Sequence, residues 1–101
     1  DKTALTNILT KPKNALLKQY KKLFALENIA FDMDASAIDF IVDKALEYKL
    51  GARGLRSICE AIINDAMYEL PSQPNIKEFV VTADYAREKL SKSRIAKLRV
   101  A

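Results

Sequence analysis

Gly51-Ala52-Arg53-Gly54-Leu55-Arg56-Ser57-Ile58-Cys59-Glu60-Ala61-Ile62-Ile63-Asn64-Asp65-Ala66-Met67-Tyr68-Glu69-Leu70-Pro71 is the clearest pattern in this chain. Leu55, Ile58, Cys59, Ile62, Ile63, Ala66, Met67 and Leu70 follow one another at alternating steps of three and one. That spacing lays apolar side chains along one face of an α-helix. Pro71 lacks the N–H that would carry the helix further. A stripe this long has to be covered, so the helix is expected to be the spine of the core, with Cys59 as a small buried hydrophobe.

Upstream, Ile38, Ile41, Val42, Ala45 and Leu46 form a second stripe. Asp34 or Ser36 can cap its start, and Gly51 is expected to supply the left-handed residue that ends it. Before it, Ile29, Phe31 and Met33 alternate with Ala30, Asp32 and Asp34, which reads as a short half-buried strand. Leu16, Leu17, Tyr20, Leu23, Phe24 and Leu26 predict a helix running to about residue 26, with Pro12 in its first turn. Leu5, Ile8 and Leu9 predict a brief helix over 2–9. Downstream, Ile76–Thr82 is a β-branched strand, Ala83–Leu90 a short helix, and Ala96, Leu98 and Val100 alternate as a last strand. These elements predict an α+β fold, four to five helices packed with a small two- or three-stranded sheet on one side.

With 101 residues, half of them apolar and 30% charged, the chain is expected to fold as one domain over residues 1–101. The single cysteine excludes an internal disulfide and a multi-cysteine metal site. The absence of histidine excludes His-based triads and zincin motifs. No apolar run is long enough to span a membrane. No basic-then-apolar leader follows Asp1, so a cytoplasmic location is expected. The net charge of +4 is uneven, with Arg87, Lys89, Lys92, Arg94, Lys97 and Arg99 after residue 86 and Lys11, Lys13, Lys18, Lys21 and Lys22 near the start. Such runs can contact nucleic acid or simply be solvated faces. No aromatic platform accompanies them.

Chemistry shows at one place. A helix N-terminus is positively polarised and favours acidic side chains. The first turns of the spine helix instead carry Arg53 and Arg56, with the chain's two glycines, Gly51 and Gly54, around Arg53. An anion arriving there would justify that arrangement, since helix N–H groups and a guanidinium fork both suit phosphate. The plainer reading for Arg56 is an ion pair with Glu60 at i+4. Arg53 has Ser57 at i+4, and Glu47 lies back across the turn. There is no phosphate-binding GxxxxGK[ST] loop, no acidic strand end for magnesium and no catalytic carboxylate pair. The chain can touch a nucleotide but has no means to hydrolyse one alone, so it is not expected to be an enzyme by itself.

Three blocks carry a family resemblance. Gly51-Ala52-Arg53-Gly54-Leu55-Arg56-Ser57-Ile58 resembles the sensor-2 signature of the ClpX branch of the Clp/Hsp100 AAA+ unfoldases. Ile8-Leu9-Thr10-Lys11-Pro12-Lys13-Asn14-Ala15-Leu16, continued by Lys18-Gln19-Tyr20, is similar to that branch's I-L-x-x-P-K-N-A-L. Asp65-Ala66-Met67-Tyr68-Glu69-Leu70-Pro71-Ser72 is similar to its D-x-M-Y-D/E-L-P-S. The resemblance runs from residue 1 to about residue 85; the basic tail beyond Lys89 is matched least, and from about residue 90 it is either an edge strand or disordered.

The resemblance implies the small C-terminal lid domain of an AAA+ module. The Walker A and B motifs, sensor 1, the pore loops, the arginine finger, the loop that docks on the ClpP peptidase and the magnesium site would all lie in a large domain outside this chain. It further implies that Arg53 is the sensor-2 arginine reaching the ATP phosphates. Ala52, Ile8 and Leu9 would lie on the adenine and ribose side, although Ile8 and Leu9 also suit a plain core role. Implied partners are the large domain of its own chain and that of the neighbouring subunit in a hexamer, with ClpP and protein substrates for the parent, and neither nucleic acid nor membrane. The lid would couple ATP hydrolysis to substrate unfolding and translocation. Two readings of other classes remain open: a small basic nucleic-acid-binding domain and a purely structural oligomerisation domain.

Overall fold

The computed structural model describes residues 1–11 and 15–95. In chain order they form α1 (Lys2–Thr10), α2 (Leu16–Ala25), β1 (Ala30–Met33), α3 (Ala35–Glu47), α4 (Gly51–Glu69), a 3₁₀ turn at Leu70–Ser72, β2 (Glu78–Val81) and α5 (Ala83–Ser91). The α+β expectation holds. Among the described residues the sheet has two strands, β1 and β2, which run parallel in the register Ala30↔Glu78 to Met33↔Val81. A parallel pair needs a crossover, and α3 with α4 provides it. The third strand expected at Ala96–Val100 lies outside the described residues.

α4 is the spine that its periodicity predicted. Leu55, Ile58, Cys59, Ile62, Ile63 and Ala66 are buried, while Met67 and Leu70 pack half-buried at the far end. The helix lies against α1, α3 and α5. Burying each of Leu55, Ile58, Ile62 and Ile63 contributes roughly 1.5–3 kcal/mol relative to exposure. A second part of the core is aromatic. Phe24 of α2 stacks on Phe31 of β1 with centroids 4.5 Å apart, Phe79 of β2 tilts against both, and Tyr85 of α5 meets Phe79 edge-on.

Three local expectations change. α2 begins at Leu16, with Ala15 in an extended conformation before it, and Pro12, expected in its first turn, lies outside the described residues. Leu23 and Leu26 leave the α2 stripe and are 45% and 80% exposed, because Leu16, Tyr20 and Phe24 already fill the face toward the core. Gly51 is not the residue that ends α3. That role falls to Lys49, at φ 55°, whose N–H donates to the Leu46 carbonyl while the Leu50 N–H reaches back to Ala45, both at 3.1 Å. This is a Schellman motif built on a lysine. Asn28, at φ 61°, ends α2 by the same pattern, with Ile29 N–H bonded to Phe24 O.

Asp34 and Ser36 share the start of α3. The Asp34 carboxylate accepts from the Ala37 N–H at 2.9 Å and from the Ser36 hydroxyl at 2.6 Å. The same Ser36 oxygen accepts the Ala83 N–H at 3.1 Å, tying the starts of α3 and α5 together at the ends of the paired strands.

Candidate functional site

The site is the start of α4, and the α3–α4 connection, Tyr48-Lys49-Leu50, fixes where that start lies. Gly51 takes φ 65°, a left-handed conformation that a side chain would strain. This turn folds Leu50 back over the first turn of α4. A Cβ on Gly54 would collide there with the Cβ of Leu50 and lie 2.8 Å from its Cγ and Cδ1. Between the two glycines, Ala52 and Arg53 face solvent.

Helix capping separates α4 from its neighbours. Asp1 caps α1 by accepting from the Ala4 N–H at 2.7 Å, Asp34 caps α3, and Thr82 caps α5 through the Tyr85 N–H at 3.1 Å. α4 has Leu50 at the capping position, no side-chain cap and no acidic residue in its first turn. α2 also lacks a side-chain cap, with Ala15 at that position. The positive end of α4 is therefore left without a carboxylate.

Lys2 provides an internal control. It too is a cation in the first turn of a helix, but its ammonium lies 2.7 Å from Asp39 and 3.1 Å from Asp43 on α3. Hydrogen bonds to Asp39 and then Asp43 raise its pKa. The unfavourable placement on α1 is thus offset within the fold. Arg53 forms no ion pair with any described residue. Glu47, the acidic group behind the turn, is engaged by Lys44 at 3.3 Å.

Arg56 behaves differently from the expectation. Its Nη2 donates to Gln19 Oε1 on α2 at 3.3 Å instead of pairing with Glu60. It thereby joins α4 to the Lys18-Gln19-Tyr20 block, 37 residues away in sequence. Beside it the Tyr20 hydroxyl is buried and has no hydrogen-bond partner among the described residues. Burial first, then the nearby Cys59, pushes the Tyr20 phenol pKa up. Burial likewise pushes the Cys59 thiol up to about 12, so it is an inert core group.

Ile8 and Leu9 part company. Leu9 is wholly buried in the core, whereas Ile8 is 38% exposed on α1. The basic runs are partly neutralised within the fold: Lys21 lies 3.7 Å from Asp32, Arg87 2.8 Å from Asp84, Lys89 3.0 Å from Asp65 and Lys92 3.1 Å from Glu88. Among the described residues no cluster of three or more acidic or cysteine side chains could hold a metal, and no helix is long and apolar enough to cross a membrane. Leu50 is the residue sequence reading missed. Its only signal was the pair of glycines one and four positions after it.

An uncompensated arginine on an uncapped helix start suits an oxyanion such as a phosphate. The family model for the C-terminal, D2-small domain of ClpB protein matches residues 1–83. The ATP-dependent Clp protease ATP-binding subunit ClpX of Bacteroides thetaiotaomicron is 52% identical over all 101 residues, which cover 24% of that relative. Its counterpart in Bacteroides fragilis is 50% identical over the same span and share. That of Porphyromonas gingivalis is 53% identical over 91 residues, 90% of this chain and 22% of the relative. The chain spans about a quarter of the length of these curated relatives. With five helices and a small parallel sheet among its described residues and a match over four-fifths of its length, the chain belongs to the family of the C-terminal, D2-small domain of ClpB protein, the small α+β domain of AAA+ modules.

Proposed function

We propose that this chain is the lid domain of an ATP-dependent protein unfoldase, the ATP-binding subunit of a Clp protease, and that Arg53 is its nucleotide-sensing arginine. The observation that carries the reading is the contrast between Arg53 and Lys2. Both are cations at helix starts, but only Lys2 has acidic partners among the described residues. The similarity to ClpX proteins over the whole chain supports the same assignment.

The residues present fit a triphosphate at its phosphate end. The Arg53 guanidinium can grip two oxygens, and the uncapped first turn of α4 adds N–H groups and the positive end of the helix dipole. ATP supplies the phosphoanhydride bond, and the magnesium ligands and Walker motifs belong to a large domain outside this chain. In this reading Ala52, Ile8 and Leu9 belong to the adenine and ribose side; of the last two, Ile8 is partly exposed and Leu9 is buried in the core. The fragment alone binds nucleotide feebly, because most contacts come from the large domain.

The Arg53 contact is strongest while the γ-phosphate is present. Its loss changes the preferred angle between lid and large domain, a hinge change driven by differential binding. In a cytoplasmic hexamer the lid packs on the neighbouring subunit's large domain. The change of angle then becomes a pull on a protein substrate threaded toward the ClpP peptidase.

The test is Arg53→Ala and Arg53→Lys in the full-length protein. ATP-driven unfolding of a model substrate falls sharply in both, while the 101-residue chain melts as before. Wild-type ATPase and unfolding rates would refute the assignment.

A further inference from the structure

We propose that Leu50 and Gly54 together position Arg53, an inference that rests on the nucleotide-sensing reading of that arginine. Leu50 is held at two points. Its N–H donates to the Ala45 carbonyl at the end of α3 at 3.1 Å, and its side chain packs half-buried against the core. The left-handed Gly51 then lays Leu50 across the first turn of α4, where the missing side chain of Gly54 lets it close. Arg53 is the residue immediately before Gly54. The contact therefore transmits the position of α3 to the backbone from which the guanidinium extends.

The collision a Gly54 side chain would cause is with the Cβ of Leu50, which is fixed by the backbone. Rotating the leucine side chain cannot relieve it, so the turn itself has to move and Arg53 moves with it. Helix stability does not account for Gly54, because alanine is the better helix former. A displacement of about 1 Å at a group acting on reacting atoms can lower a rate about a hundredfold. Leu50 and Gly54 are positioning residues: neither needs to touch nucleotide.

The experiment is a double-mutant cycle in the full-length protein, reading kcat and KM for ATP together with the rate of substrate unfolding. Gly54→Ala is expected to lower ATP-driven unfolding about tenfold or more. In an Arg53→Ala background the same change adds almost nothing, because the group it displaces is already gone. Adding Leu50→Gly to Gly54→Ala removes the colliding Cβ and restores part of the activity. Losses from Gly54→Ala and Arg53→Ala that multiply would overturn the inference, as would a Gly54→Ala protein with wild-type kcat and KM. If Gly54→Ala does not fold, Leu50→Ala takes its place. It keeps the Cβ and removes only the atoms resting on the turn, and its loss of unfolding must likewise vanish in the Arg53→Ala background; a loss that persists there overturns the inference. Wild-type activity of Arg53→Ala itself would instead remove the nucleotide-sensing reading, and this inference with it.

Discussion

The Cβ of Leu50 stands where a side chain on Gly54 would have to be, and the left-handed backbone of Gly51 puts it there. The only two glycines in the chain thus serve one geometry, the turn that presents Arg53. The two positions fail for different reasons when filled. Gly51→Ala meets no atom within 4 Å, so its cost is conformational, about 1–2 kcal/mol in a urea melt. A loss below about 0.5 kcal/mol would mean that the left-handed turn is not required.

Lys49 ends α3 in the left-handed region without being a glycine. Lys49→Gly relieves that strain and is expected to stabilise the chain by about 0.5–1 kcal/mol, read as a higher urea midpoint at unchanged slope. A lower midpoint would show that the lysine side chain contributes more than the backbone conformation costs.

Arg53 forms no ion pair with a described residue, and it stands on the positive end of α4. Arg53→Glu therefore favours the helix by roughly 0.3–1 kcal/mol at low salt, while it removes the charge that phosphate needs. The expected pair of results is a slightly more stable chain and a full-length protein without ATP-coupled unfolding. Destabilisation by more than about 1 kcal/mol would assign Arg53 to the fold.

The Tyr20 hydroxyl is buried without a partner among the described residues. An unsatisfied buried polar group costs about 1–3 kcal/mol, so Tyr20→Phe is expected to stabilise by about 1 kcal/mol with the ring packing retained. A loss of similar size in chemical denaturation would reveal a hydrogen bond that the hydroxyl makes in solution.

Asp34 titrates below its ordinary value, because the Ser36 hydroxyl and then the Ala37 N–H bond its ionised form. A lowered native pKa adds stability above the unfolded value near 3.8 and loses it as the pH falls through the native one. The unfolding midpoint of the wild-type chain should drop below about pH 4, and Asp34→Asn should flatten that part of the curve. Identical acid limbs for the two proteins would show that the cap carries no charge dependence.

The helices were legible because each carries its own record. The steps of three and four in α4 name the face that Leu55, Ile58, Cys59, Ile62, Ile63 and Ala66 bury. Gly51-Ala52-Arg53 could be singled out because a cation on a positive helix end is a local anomaly. The same anomaly at Lys2 shows the limit of that argument. Its carboxylates sit on α3, at Asp39 and Asp43, and no spacing rule connects them to residue 2.

By itself the sequence determined the helices and the two strands of the described residues, the buried face of α4 and where an unusual arginine stands, since those follow from periods of a few residues. The tertiary structure alone decided the parallel register of Ala30 with Glu78, the choice of Gln19 over Glu60 by Arg56, and the seating of Leu50 on Gly54. The first two join residues tens of positions apart, and the third depends on a backbone angle that two glycines permit but do not dictate. Periodicity tells a side chain which way to face; only the packing of whole elements decides what it meets there.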